Sequence, residues 1–336
     1  WRHQQHHQRR NSRRWLHVNW RKVKKTRPDF VKPTVADVYY DASAGAIERA
    51  LFFEVDVVLI VSAMFFHPRV IQMLKNAHQR VVVLFTESPY DPRELQIASM
   101  VDGCWTTERT AAKTFAYANE RSGYIRHGWH PARHAPGPHP SDEQMHAHDV
   151  VFVGTGFPER IEWLSQIDWT GIDFGLYGSW EGLGSKHPLK RHVRGGIVDN
   201  ADVAALYRRA KVGLNLYRTS GGISPKVRHV SHAESLNPRA YELARCGAFH
   251  LSTYRPEVEE VFGDLVPTFD TPAQASALIR QWLADDAGRA RVSAQLPACV
   301  ADASWIHRAA QILEDMRLLL PMAAEERRPS VAAVGA

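Results

Sequence analysis

The chain has 336 residues, 44% of them hydrophobic, which is enough to fill two domain cores. No uncharged run approaches the roughly 18 apolar residues of a membrane-spanning helix, and Cys104, Cys246 and Cys299 lie too far apart for a disulfide scaffold, which suits a reducing, cytoplasmic setting. The net charge of +6 is uneven: residues 1–30 carry ten Lys or Arg against one acid, a local +9, and the remainder is slightly acidic at −3.

That basic segment interleaves its cations with Trp1, Trp15 and Trp20, a mixture suited to phosphate contacts and base stacking. It is equally the composition of a solvated, disordered extension, which is the expectation for residues 1–30. It has no apolar centre and is therefore not a secretory signal.

From Thr34 the pattern becomes α/β. Residues 55–62 (VDVVLIVS) form a continuous apolar run of parallel-strand character, residues 68–77 a helix, and residues 80–85 a second strand. Strand, helix and strand make one right-handed crossover. The second strand ends in Thr86, Glu87, Ser88, Pro89 and Tyr90, polar residues at a carboxyl end, where open α/β sheets place ligands. A short strand at 104–107, a helix at 108–119 and a strand at 123–126 follow, the last ending in His127, Gly128, Trp129 and His130. Glu87 and His127 are therefore the candidates for acid–base work.

Residues 133–148 are rich in Pro and His, without apolar periodicity, and read as a linker between domains of 31–132 and 149–303. The prolines around His134, His139, His146 and His148 argue against rigid ligand geometry, so no metal is expected.

A strand at 149–153 opens the second domain and runs into Gly154, Thr155 and Gly156, a turn whose backbone amides could approach a phosphate, with Arg160 behind it. No G-x-G-x-x-G or Walker A spacing occurs, which counts against a dehydrogenase or an ATPase. A helix at 201–210 leads to a strand at 212–216, and residues 219–234 form a polar loop expected to move over a ligand. Asn237 then reads as an N-cap, Pro238 as the first helical residue and Gly247 as a left-handed C-cap, so residues 238–246 are a short helix with fixed ends. Its amino end, with the Arg239 fork, suits a phosphate, and Glu242, one turn on, could accept hydrogen bonds from the two hydroxyls of a ribose. After a strand and several helices, residues 304–322 form an amphipathic helix, and residues 323–336 read as a disordered tail.

The run N-P-R-x-x-E-L-A-x-C-G-A-F-x-L-S-x-Y-R-P-E-V-E-E-V-F from Asn237 resembles the donor segment of GT-B glycosyltransferases of the spore-maturation-protein type, a group 1 family, and is most similar to actinobacterial and phage-encoded members. T-E-S-P-Y at 86–90, G-T-G at 154–156 and the stretch from Asp199 to Arg218 continue the resemblance, which spans roughly residues 50–315. It implies an α/β fold of two Rossmann-like domains facing a cleft, the final helix crossing back to the first domain. That first domain would lack its first strand, since no buried strand and Gly loop opens this sequence. The donor, a nucleotide-diphosphate sugar, would be held by Gly154, Thr155, Gly156, Arg160, Val198 over the base, Tyr217, Arg218, Asn237, Arg239 and Glu242. No further cofactor is implied. Glu87 would serve as base and His127 would bind acceptor or phosphate. The expected activity is metal-independent glycosyl transfer to a hydroxyl of a protein, glycan or modified nucleic acid, with residues 1–30 free to hold a polyanion. The alternatives are a non-catalytic relative that binds nucleic acid through that tail and a nucleotide-sugar epimerase.

Overall fold

The computed structural model describes residues 13–90, 92–196, 198–219 and 233–319. The expectations for residues 1–12, for nearly all of the 219–234 loop and for the tail from 323 lie outside the described residues. The chain forms two compact units, Trp1–Thr106 with Ala112–Gly123, and Thr107–Ala111 with Tyr124–Ala336.

The first unit opens with helices α1 (Arg13–Val18), α2 (Trp20–Thr26) and α3 (Val35–Phe52). Residues 13–26 are thus helical, which corrects the expected disorder of that stretch. The described cations of the segment remain exposed; Arg21, and Lys32 just beyond the segment, each lie 5.6 Å from the Trp20 ring centroid, and His17 Nδ1 is 2.6 Å from the Pro33 carbonyl. A capping box starts α3, with Thr34 Oγ1 accepting from Asp37 N and Asp37 Oδ2 accepting from Thr34 N.

There follow β1 (Val57–Val61), α4 (Pro68–Asn76), β2 (Arg80–Phe85), α5 (Pro92–Ala98), β3 (Gly103–Thr106), α6 (Arg109–Ala118) and β4 (Ser122–Tyr124), in a sheet of order β1-β2-β3-β4. β1 pairs with β2, and β2 with β3, in parallel. Residues 81–85 of β2 are buried throughout, as their apolar run predicts. β1 is different. It is an edge strand whose Leu59 and Val61 are exposed, and no strand precedes it among the described residues.

The second unit contains β5 (Val150–Val153), α7 (Pro158–Ser165), β6 (Phe174–Tyr177), β7 (Val193–Gly195), α8 (Asn200–Arg209), β8 (Val212–Asn215), α9 (Pro238–Arg245), β9 (His250–Thr253), α10 (Pro256–Phe262) and β10 (Thr268–Phe269). Helices α11 (Pro272–Ala284), α12 (Asp286–Ser293), α13 (Leu296–Cys299) and α14 (Trp305–Leu319) complete it. Its strands lie in the order β10-β9-β8-β5-β6-β7, all pairs parallel. The chain winds outward from β5 through β6 and β7, then returns and winds the other way from β8, so the direction reverses between β5 and β8. Such a reversal splays the connections apart at the carboxyl ends and opens a crevice there.

Two boundaries differ from expectation. The second unit takes in residues from Tyr124 onward, because Trp129 Nε1 donates to the Val300 carbonyl and Trp129 N to that of Ala303. The stretch expected to be a linker is docked on the same unit. Asp142, in a single 3₁₀ turn, accepts two hydrogen bonds from Arg208 of α8, at 2.6 and 2.8 Å, with both side chains buried. Proline-rich composition conceals this anchor, because one ion pair leaves no periodicity.

Candidate active site

At the carboxyl ends of β5 and β8 the structure brings together Arg160, Tyr217 and Arg218, three of the residues expected to hold a donor. Residues 154–157 leave β5, residues 216–219 leave β8, and Arg160 crosses between them. Its Nη1 donates to the Thr155 carbonyl at 3.2 Å and its Nη2 to the Leu216 carbonyl at 2.8 Å. The guanidinium lies 5.4 Å from the ring centroids of both Phe152 and Phe157. Its buried Nε has no hydrogen-bond partner among the described residues. Burial lowers the Arg160 pKa to about 9, and Arg239, Arg218 and Arg255 act in the same direction while Glu159 opposes them. The cation remains charged at neutral pH.

Arg218 lies over Phe157 at 4.7 Å, and Arg255 over Tyr217 at 3.9 Å. A cavity of about 280 Å³ opens beside them, with Arg160, Arg255, Tyr217 and Thr219 in its wall. Arg239 projects from the first turn of α9 and donates from Nη1 to Tyr207 Oη at 2.6 Å. Four guanidinium groups therefore converge near the switch point, an arrangement that favours an anion bearing more than one charge.

The backbone plays a smaller part than expected. Gly154 N donates to the Tyr177 carbonyl at 2.9 Å and Gly156 N to that of Ser179 at 2.8 Å, so these amides extend the sheet and do not face a phosphate. The two glycines serve close packing instead. A Cβ on Gly156 would come within 2.4 Å of Trp180, and one on Gly178, whose φ is +109°, within 2.2 Å of the Gly154 carbonyl. Thr155 is exposed.

Asn237 also has another task. Its Oδ1 accepts from Ala240 N at 3.1 Å and its Nδ2 donates to Asn215 Oδ1 at 2.8 Å. It caps α9 and ties it to the end of β8, leaving the amide little capacity for a ligand. Pro238 brings no N–H, so the helix start offers fewer donors than a four-amide terminus. Glu242 is half-buried one turn beyond Arg239, and Val198 packs its half-buried side chain against the α8 and β5 core.

Glu87 is exposed in the loop after β2, in the first unit. His127 belongs to the second unit. It is buried, its ring edge-on to Trp305, and its Nδ1 has no partner among the described residues. Burial, reinforced by Arg255 and Arg308, drives its pKa down to about 3. It is therefore a neutral imidazole at pH 7, able to donate or accept one hydrogen bond but a weak base.

Sequence reading missed the group that holds the 233–237 segment in place. Glu257 is completely buried and accepts from Tyr124 Oη at 2.6 Å, Arg126 Nε at 2.8 Å and Leu236 N at 2.6 Å. Glu108, also buried, accepts from Glu234 N and Ser235 N, while Arg109 N donates to Ser235 Oγ at 2.8 Å. The only available signal for Glu257 was its place directly after Pro256, in the first turn of a helix, where an acid is usually a surface residue facing the dipole.

Residues 160–314 match the model of a family described as glycosyl transferase-like. A comparison with curated proteins found no match. Among solved structures, sucrose-phosphate synthase from Thermosynechococcus elongatus superposes with a TM-score of 0.61 at 14% identity, over 87% of this chain and 81% of that one. The Anabaena protein HepE, solved with UDP-glucose, gives 0.56 at 15% identity over 82% and 81%. An α,α-trehalose-phosphate synthase (UDP-forming) from Burkholderia vietnamiensis gives 0.56 at 11% identity over 93% and 85%. The family match across the second unit and the shared GT-B fold together support a glycosyltransferase.

Proposed function

We propose that the protein transfers a glycosyl group from a nucleoside-diphosphate sugar to a hydroxyl acceptor, with the donor diphosphate at the β5/β8 crevice. One observation carries this reading: Arg160, half-buried at the switch point with its Nε enclosed and unpartnered among the described residues, has three further arginines around it. Free of ligand, that crowding is unfavourable, and a diphosphate would relieve it. Departure of the nucleoside diphosphate places negative charge on the β-phosphate, and the guanidinium groups can stabilise it without a divalent ion. Glu242 is the proposed ribose ligand, Val198 the proposed neighbour of the nucleobase, and Glu87 the proposed base for the acceptor. The spore-maturation-type motif wording supports that subgroup, and the basic segment before α3 suits a polyanionic acceptor.

HepE and the trehalose-phosphate synthase are described with UDP or UDP-sugars, which makes uridine donors the first to try. The test is incubation with UDP-, GDP- and dTDP-sugars, followed by product analysis. Released nucleoside diphosphate with free or transferred sugar is expected. A new nucleotide sugar without free diphosphate would replace transfer with epimerisation, an activity named for another GT-B-like neighbour, a putative UDP-N-acetylglucosamine 2-epimerase from Listeria monocytogenes. No thermal shift with any nucleotide sugar would sink both.

A further inference from the structure

The strands of the second unit have a second end, and it carries a different chemistry. His146 and His148 lie just before β5, and Asp173 lies just before its neighbour β6. His146 Nε2 is 2.6 Å from Asp173 Oδ2, and His148 Nδ1 is 3.0 Å from the same oxygen. The two rings are 4.4 Å apart between centroids, and one ligand atom from each of the three residues lies within 4.8 Å of the others. These residues sit at the amino edge of the sheet, opposite the carboxyl ends that form the crevice.

We propose that His146, His148 and Asp173 form a zinc site that clasps the segment before β5 to the edge of the sheet. Two imidazoles and one carboxylate, with water as fourth ligand, are a donor set suited to that ion. The supporting contacts are those a ligating histidine requires. His148 is buried, and its Nε2 lies 2.8 Å from Tyr177 Oη. With zinc on Nδ1, the ring's proton resides on Nε2 and is donated to that hydroxyl oxygen, which fixes tautomer and ring plane. Gly175 makes room for the ring, since a Cβ there would stand 2.6 Å from Nε2. Asp173 is aligned by its own backbone, its N–H donating to Asp149 Oδ2 at 3.0 Å. Its other carboxylate oxygen, Oδ1, accepts from Arg194 at 3.2 Å, so one oxygen is directed at the histidines while the second stays with the arginine. His146 is largely exposed and supplies the route by which the ion enters.

Without metal, His148 Nδ1–H and His146 Nε2–H can each donate to Asp173 Oδ2. Zinc would take the place of both protons, each neutral ring then carrying its proton on the nitrogen that faces away from the metal. The site lies outside the diphosphate crevice, so its loss leaves donor binding in place.

The test uses the full chain and Co²⁺ or Zn²⁺ alone as probe. The wild type is expected to bind one equivalent of Co²⁺ with the visible absorption of a four-coordinate centre, displaced by Zn²⁺, and to melt at higher temperature with Zn²⁺ present. His146→Ala, at an exposed position, is expected to lose that equivalent while keeping the wild-type fold by circular dichroism. Tyr177→Phe, which keeps the ring and removes only the hydroxyl, is expected to weaken Zn²⁺ binding by roughly 10–100-fold. Equal binding by wild type and His146→Ala would overturn the proposal and assign the metal to histidines elsewhere in the chain. Absence of any stoichiometric binding by the wild type would overturn it also.

Discussion

Arg160 is the residue on which the functional reading turns, and its surroundings predict how it fails. Arg160→Met keeps length and apolar stem while removing the charge and the two hydrogen bonds to the Thr155 and Leu216 carbonyls. Charge-assisted contacts contribute about 1.5–3 kcal/mol each, so nucleoside diphosphate should bind roughly 10–100-fold more weakly, and the ligand-induced rise in melting temperature should vanish. Isothermal calorimetry with UDP measures this directly. Wild-type affinity in that variant would remove Arg160 from the donor site. Glu257→Gln asks a different question. Its carboxylate touches no ligand in this reading, yet it holds Leu236, the residue directly before the cap of α9. The variant should lose about 1–3 kcal/mol of stability and raise KM for donor more than it lowers kcat, since it displaces a binding element rather than a group facing transition-state charge.

At the scale of elements, α9 is the piece whose start must be exact to the atom. Asn237→Ala deletes the cap, worth about 1 kcal/mol, and strips Asn215 Oδ1 of its donor, which adds about 1–3 kcal/mol because Asn215 is buried. A urea midpoint lowered by the sum is the expected result; a change confined to the cap's share would show that the Asn215 bond contributes little. This helix was legible in advance. Asn, Pro and the distal Gly are local chemistry, and Gly247 has the positive φ, +66°, that its position demanded. Strands β2, β5 and β8 were legible as short apolar runs. What escaped was every feature made by pairing distant segments. β7, inside the charged stretch R-H-V-R-G-G, exists because β6 offers it an edge. The Asp142–Arg208 anchor and the Glu257 cluster join residues 66 and more than 130 positions apart. The glycines after β5 were found for a reason the structure revises, since their amides face carbonyls. Composition shows that a turn is tight without showing what its N–H groups meet.

For the whole molecule, the buried histidines set the response to acid. His127 and His250 have pKa values lowered by burial to about 3 and about 4, against 6.5 for an unperturbed ring. Above pH 6.5 both states are neutral and neither ring affects stability. As the pH falls below that value the unfolded chain takes up protons that the folded chain excludes, so each ring destabilises the fold by about 1.4 kcal/mol per pH unit until its own lowered pKa is reached. The melting temperature should therefore fall steadily between pH 6.5 and 4. His250→Leu should flatten that slope, since it removes a ring whose protonation burial opposes, while loss of the 3.1 Å contact between Nδ1 and the Ala248 carbonyl lowers stability by a similar amount at every pH above the folded pKa. An unchanged slope in that variant would place the acid lability elsewhere.

Arg160 is also held at both ends before any ligand arrives, by carbonyls that belong to the two sides of the chain reversal. A guanidinium side chain ordinarily surrenders about 2 kcal/mol of rotamer freedom when it is immobilised. Here folding has already frozen it. Capture of an anion can then proceed without that entropic penalty, and the crevice should be unselective toward small oxyanions: sulfate or phosphate at buffer concentrations would occupy it and compete with the donor. Kinetic constants for this protein will consequently depend on the choice of buffer anion as well as on ionic strength.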